Sequence, residues 1–196
     1  MLIYLLGGVS ALAVLFVAFW WAAAFFAERP EHRLVRQDGA FELRDYPALL
    51  AAEVTKPGAR GAAVRAGFGP LAGYIFARER EGPSIAMTAP VTQLPAESGA
   101  WRVRFIMPKR YSLEELPQPV SGDVALVEIP ARRMAVIRFS GAWSDERFAQ
   151  KAKALIAWMT AQGFKAAGPP VFAYYNDPMT PGFLRRNEVL VEVVGG

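Results

Sequence analysis

Phe41-Glu42-Leu43-Arg44-Asp45-Tyr46-Pro47-Ala48-Leu49-Leu50-Ala51-Ala52-Glu53-Val54-Thr55 is the stretch that decides the fold. Its first six residues alternate apolar and polar, the period of a half-buried strand. Pro47 interrupts, residues 49–55 predict a returning strand, and Gly58 ends the unit. Val64, Phe68, Leu71 and Ile75 follow at spacings of one helix face. Gly67, Gly69 and Pro70 predict a kink there, or a second helical piece that starts at Pro70. Residues 84–94 and 101–107 predict two more strands.

The pattern then recurs at a constant offset of 83 positions. A strand over 124–129 is interrupted by Pro130, returns over 134–139 and ends at Gly141. Ser144 is a good N-cap, with Asp145 and Glu146 in the first turn. Phe148, Ala152, Leu155, Ile156 and Met159 line one helix face, and Gly163 is its stop. Strands over 171–175 and 188–194 complete the second half. Leu43 matches Leu126, Pro47 Pro130, Ala48 Ala131, Ala52 Ala135, Gly58 Gly141 and Ala66 Ala149. The repeated order of elements predicts a duplicated α+β unit, with halves of about 40–118 and 123–194. The expected architecture is an antiparallel, barrel-like sheet flanked by two helices. Its groove is expected where each helix meets the sheet, the kind of cleft that takes small ligands.

Upstream, no charged residue occurs from Leu2 to Ala27. A bilayer core needs roughly 20 apolar residues as helix, so this run is long enough to span it. Trp20, Trp21, Phe25 and Phe26 form an aromatic belt at its C-terminal end. A cleaved signal peptide is the rival reading, with Ala22-Ala23-Ala24 as its cleavage pattern. The run lacks a basic n-region and exceeds the ~7–15 residues of a signal h-region. Residues 1–28 are therefore expected to be an uncleaved single-pass anchor, 29–39 a juxtamembrane linker, and 40–196 the domain. Arg29, Arg33 and Arg36 follow the span, which places the domain on the cytoplasmic side of an inner membrane; a periplasmic domain is the alternative.

The chain has 196 residues, 0 Cys and 1 His. Without Cys there are no disulfides, thiolate nucleophiles, Cys-ligated zinc, iron–sulfur clusters or covalent haem attachment. The basic residues (22) and acidic residues (18) all lie at or after Glu28 and are interleaved, without the dense basic run of a nucleic-acid site. Anionic lipid headgroups suit a mildly basic domain beside a membrane. No paired carboxylates and no phosphate-cradling glycine loop stand out, so no enzyme is predicted.

Six segments stand out in order: Phe41-Glu42-Leu43-Arg44-Asp45-Tyr46, Gly67-Phe68-Gly69-Pro70-Leu71-Ala72-Gly73-Tyr74-Ile75 and Met87-Thr88-Ala89-Pro90-Val91. They continue through Phe105-Ile106-Met107-Pro108, Val136-Ile137-Arg138-Phe139-Ser140-Gly141 and Thr180-Pro181-Gly182-Phe183-Leu184-Arg185-Arg186-Asn187-Glu188-Val189. In these segments the chain resembles the SOUL haem-binding protein family. Met179 stands where the family often has Trp. The resemblance implies a duplicated antiparallel barrel with two helices, related to bacterial effector-binding domains. It also implies non-covalent binding of haem or another tetrapyrrole.

An axial His has been assigned in some members, yet His32, in the expected linker, is the only His here. Tyr and Met also serve as axial ligands. Tyr74, Tyr174, Tyr175, Met87 and Met107 are the options. Phe68, Leu71, Tyr74, Ile75, Met87, Met107 and Tyr174 are the expected groove lining, with Lys56, Arg60 and Arg65 as partners for propionates. Two alternatives remain: a different hydrophobic effector in the same groove, and a protein-interaction domain. Arg185 and Arg186 fit either an anionic ligand or the bracing of their own loop.

Overall fold

The structure is a computed structural model that describes residues 27–194. The expected anchor therefore lies outside the described residues, except for its last two positions. Among the described residues, no helix is long and apolar enough to cross a membrane.

Among the described residues, ten strands and two α-helices follow in chain order. They are β1 (Arg33–Asp38), β2 (Phe41–Tyr46), β3 (Leu49–Pro57), α1 (Arg60–Ile75), β4 (Val91–Pro95), β5 (Ala100–Ile106), β6 (Ala125–Ile129), β7 (Arg132–Phe139), α2 (Asp145–Ala161), β8 (Lys165–Ala166), β9 (Val171–Tyr174) and β10 (Asn187–Val194). They form one antiparallel sheet in the order β1-β2-β7-β10-β9-β4-β5-β3-β6, with β8 on β10. The path is open: β1 and β6 are its ends, so the barrel expected from sequence is a curled sheet. The curl follows from connectivity. β2 and β3 lie near opposite ends of the path, yet only Pro47 and Ala48 join them.

The duplication is visible in the register. Leu49, Leu50, Ala51 and Ala52 of β3 pair with Ile129, Glu128, Val127 and Leu126 of β6. Their equivalents 83 positions away, Arg132, Arg133, Met134 and Ala135 of β7, pair with Tyr46, Asp45, Arg44 and Leu43 of β2. Val91 of β4 pairs with its own equivalent, Tyr174 of β9. A pseudo-twofold axis therefore passes through the β4–β9 junction.

Each helix covers the outer face of one half. Under α1 lie Ala52, Val54, Val103 and Phe105 with Leu71, Tyr74 and Ile75. Under α2 lie Leu43, Ala135, Ile137, Val189 and Val191 with Phe148, Leu155 and Trp158. Ser144 caps α2, accepting from the Arg147 N–H at 3.2 Å. Ile156, expected in the core, is 43% exposed, and Trp158 fills that place. No break occurs in α1: it runs through Pro70, whose missing N–H belongs to the interior of a single helix. Gly67 explains the close seat of α1, since a Cβ there would lie 2.9 Å from Val103 Cγ2.

Two segments differ from expectation. Residues 33–38, expected as linker, form β1 by pairing with β2. Of residues 84–94, only those from Val91 onward are strand. Residues 84–90 run irregularly, and the Ala89–Pro90 peptide is cis.

Candidate functional site: a cleft on the helix-free face

The expected groove residues do not converge on one cavity. Leu71, Tyr74, Ile75 and Met107 are buried in the core beneath α1, and Met87 packs half-buried against it. The Tyr74 hydroxyl donates to the Pro117 carbonyl at 2.8 Å. Phe68 is 42% exposed, edge-on to Phe105. Lys56 pairs with Asp123 at 2.8 Å, and Arg65 stands exposed on α1. Arg60 and Tyr174 do meet, but as structure. Arg60 is buried, donates to Asp145 at 2.8 Å and to the Tyr174 hydroxyl, and lies over the Phe148 ring. Tyr174 in turn donates to Gln93 Oε1 at 3.0 Å. Burial pushes its pKa up to about 12. A buried, neutral phenol with both bonds made is not an open tyrosinate for iron.

The physical reason is the closeness of helix to sheet. Gly67 brings α1 into contact with Val54 and Val103 and leaves no groove between them. The 176–186 loop is likewise self-contained. Arg185 donates to the Thr180 carbonyl at 2.7 Å and the Pro178 carbonyl at 2.8 Å, and Arg186 binds Glu188 at 2.7 Å. Both arginines brace the loop.

The cavity lies on the opposite, concave face of the sheet. Alternation along the strands turns Arg44, Tyr46, Leu49, Thr92, Arg104, Ile106, Ile129, Arg132, Met134, Val171, Tyr175, Glu188 and Leu190 to that side. All of these except Arg44 and Glu188 line a cleft of ≈ 50 Å³, together with Pro30 and Pro90. Its lining follows the duplication. Tyr46 and Ile129 are equivalent positions, as are Leu49 and Arg132, and Thr92 and Tyr175. The cleft thus sits on the pseudo-twofold axis, and the two copies have diverged there: one half has a phenol where the other has an isoleucine, and a leucine where the other has an arginine.

Its floor is a buried ionic network. Arg44 binds Glu188 through two bonds of 3.0 Å, Glu42 at 2.6 Å and the Tyr46 hydroxyl at 3.0 Å. Tyr175 donates to Glu188 at 2.7 Å. Burial opposes ionisation of Glu188, but the hydrogen bonds and charge of Arg44, with help from Arg186, hold its pKa below the ordinary value. Burial pushes the pKa of the Tyr46 and Tyr175 hydroxyls up, so both are neutral at pH 7; Tyr46 accepts from Arg44 and Tyr175 donates to Glu188. Arg104 pairs with Glu53, while Arg132 reaches Glu192 only at 3.5 Å.

The chain segment from residue 27 is stitched across the cleft. Ala89 N–H donates to the Glu28 carbonyl at 2.8 Å, and Lys109 N–H to the Glu28 carboxylate at 2.7 Å. Arg29 lies over the Tyr175 ring, Pro30 lines the cavity, and the His32 ring lies 5.1 Å from that of Tyr46. Sequence reasoning missed this site because it sought apolar residues under helices. The available signal was the polar alternation of β2 and β7 on the side away from α2.

These features define a class: a duplicated α+β fold, one antiparallel sheet with two helices, with an amphiphilic cleft on its pseudo-twofold axis. The chain belongs to the SOUL heme-binding protein family, whose pattern it matches over residues 27–192. Among solved structures it is similar to the EcmrR C-terminal domain, at 13% identity and TM-score 0.62, over 80% of this chain and 98% of that one. It is also similar to a hydrolase from Listeria innocua, at 12% identity and TM-score 0.57, over 82% and 94%. At these identities the likeness is one of fold. No curated protein matches the sequence.

Haem fits this cleft in part. A volume of ≈ 50 Å³ is far below the roughly 300–1,000 Å³ of pockets that enclose a ligand. A macrocycle therefore does not enter whole. The mouth offers apolar walls at Pro30, Leu49 and Ile129 and the loosely paired Arg132 guanidinium, while Arg104 is buried against Glu53. Among the described residues, no group of three or more His, Asp or Glu is placed to hold a bare metal ion.

Proposed function

We propose that this protein binds haem or a related tetrapyrrole non-covalently at the membrane and carries it, without catalysing a reaction. The observation that carries the reading is the amphiphilic cleft mouth, in a chain of a haem-binding family. The macrocycle lies across the mouth with apolar contacts on Pro30, Leu49 and Ile129, and a propionate faces Arg132. Residues 1–28 anchor the protein in the bilayer, and the positive-inside rule puts the domain on the cytoplasmic side. The uncharged run of residues 2–27 supports the anchor. So does the route of residues 27–30, which bring the chain out beside the cleft, where a lipophilic ligand would leave the membrane.

The test is a haemin titration of the full chain in lipid nanodiscs, followed by the Soret absorption. A saturable shift that weakens about tenfold in Arg132→Leu supports the reading. No saturable shift refutes it. Membrane pelleting that resists carbonate extraction, and is lost on deleting residues 1–28, supports the anchor; release of the full chain by carbonate refutes it.

The size of the cleft favours a second reading, a smaller hydrophobic effector held inside it. In that case haemin fails to bind, while a small amphiphile perturbs the Met134 methyl resonance at the cleft wall.

A further inference from the structure

We propose that the loop over 176–186 is a second membrane contact: Met179, Phe183 and Leu184 enter the headgroup layer of a bilayer and seat the domain against it. The inference rests on the anchor reading above, since the bilayer is the one that residues 1–28 are proposed to span. The loop is turned inside out. Pro178, Met179, Pro181, Phe183 and Leu184 are all exposed. Met179 at 87% and Phe183 at 77% are the most exposed large apolar side chains among the described residues, and Leu184 follows at 52%. Single exposed apolar side chains are ordinary, but a cluster of them on one short loop marks an interaction site.

The polar groups of the loop are spent on one another instead. Asp177 accepts from the Met179 N–H at 2.7 Å, the Thr180 N–H at 3.1 Å and the Thr180 hydroxyl at 2.8 Å. Gly182–Leu184 form a 3-10 turn in which the Leu184 N–H donates to the Pro181 carbonyl at 2.9 Å and the Arg185 N–H to the Gly182 carbonyl at 3.1 Å. The Gly182 carbonyl also accepts from the Gly141 N–H at 2.8 Å, which ties the loop to the domain. A chain that enters lipid must satisfy its own backbone groups, because little water is there to do so. This loop meets that demand and is braced enough to hold its apolar tip outward. Arg185, next to Leu184, is held by the Thr180 and Pro178 carbonyls, which leave its charge uncancelled for anionic headgroups.

The occupant follows from where the uncharged run ends. The Tyr175 N–H donates to the Arg186 carbonyl at 3.3 Å and closes the base of the loop. Arg29 lies 5.7 Å from the centre of the Tyr175 ring, and Ala27 packs against the cluster that contains Tyr175. The run without charge, Leu2 to Ala27, therefore meets the domain at the base of this loop. A segment that enters lipid at that point brings the apolar tip to the same surface.

The chain has no Cys, so one introduced Cys carries one spin label. Full-length Met179→Cys and Phe183→Cys are labelled and placed in phosphatidylcholine–phosphatidylglycerol nanodiscs. Glu97→Cys, in the exposed turn between β4 and β5, is the reference. Power-saturation EPR compares collisions with oxygen, which concentrates in lipid, and with a nickel chelate, which stays in water. Oxygen is expected to dominate at 179 and 183, and nickel at 97. Phe183→Glu in the Met179→Cys background is expected to return the label to nickel, while the chain still co-elutes with the nanodiscs. Nickel dominant at all three positions in a co-eluting chain overturns the inference and leaves the anchor intact. Labels shielded from both reagents, with dipolar broadening lost on mixing with unlabelled chain, place a second copy on the tip and also overturn it. A chain that elutes apart from the nanodiscs overturns the anchor reading, and the docking falls with it.

Discussion

Arg44→Met tests the buried network beneath the cleft. The Arg44 side chain is 1% exposed and that of Glu188 is 0% exposed, so no water replaces a lost partner. Removing one member of a buried pair costs about 3–5 kcal/mol, because the other charge stays buried. Arg186 remains beside Glu188 and holds the expected loss to the lower part of that range. For a domain of this size, 3–5 kcal/mol lowers the melting temperature by roughly 6–20 °C.

The pH dependence follows from the Glu188 shift. In the wild type its folded pKa lies below the ordinary glutamate value. Its contribution is therefore full above that value and fades as pH falls through the lower, folded pKa. In Arg44→Met, burial is no longer outweighed and the folded pKa rises. The variant's deficit is then largest at neutral pH and shrinks toward pH 4, where Glu188 takes up a proton. Urea denaturation of the full chain in detergent, read by near-UV circular dichroism at several pH values, measures both effects. The double variant Arg44→Met/Glu188→Leu is expected to regain most of the loss, since an apolar pair of similar volume replaces the ions. A single-variant loss below about 1 kcal/mol, or a deficit that grows toward acid, would refute the reasoning.

Three further outcomes are expected. Gly67→Ala forces a Cβ to 2.9 Å from Val103 and should cost about 1–3 kcal/mol, measured as a lower urea midpoint with unchanged slope. Ser144→Ala removes the α2 cap and should cost about 1 kcal/mol in the same assay, while Ser144→Asp keeps it. Tyr174→Phe leaves Arg60 and Gln93 short of a buried partner and should cost about 1–3 kcal/mol, with the haemin spectrum unchanged. An altered spectrum in that variant would return Tyr174 to the ligand site.

The fold was legible because its signals are local and occur twice. Alternation at Phe41–Tyr46, the interrupting prolines and the Ser144 cap each act within a few residues, and the offset of 83 ties the halves together. β1 was hidden because Arg33–Asp38 is exposed throughout, and an exposed edge strand has no hydrophobic period to read. The cleft was hidden for a different reason. Its lining comes from many strands, and no single one carries more than a few of its residues. Only the curl of the sheet brings residues from near its two ends, Tyr46 of β2 and Ile129 of β6, into one cleft.

That curl also explains how a symmetric duplication yields an asymmetric site. Two identical halves would place the same side chain at both members of each equivalent pair on the axis. Two arginines there would repel, and two leucines would make an apolar seam with nothing to orient a ligand. Here Leu49 has Arg132 as its counterpart and Ile129 has Tyr46, and the register pairs Leu49 with Ile129 and Arg132 with Tyr46. One flank is apolar and the other donates hydrogen bonds, the arrangement an amphiphile with carboxylates requires. Meanwhile the outer faces have kept their common role: each packs one helix over a closed core. Selection for packing preserves the likeness of the halves on that side. On the proposed function, binding acts on the other side, and there it favours difference.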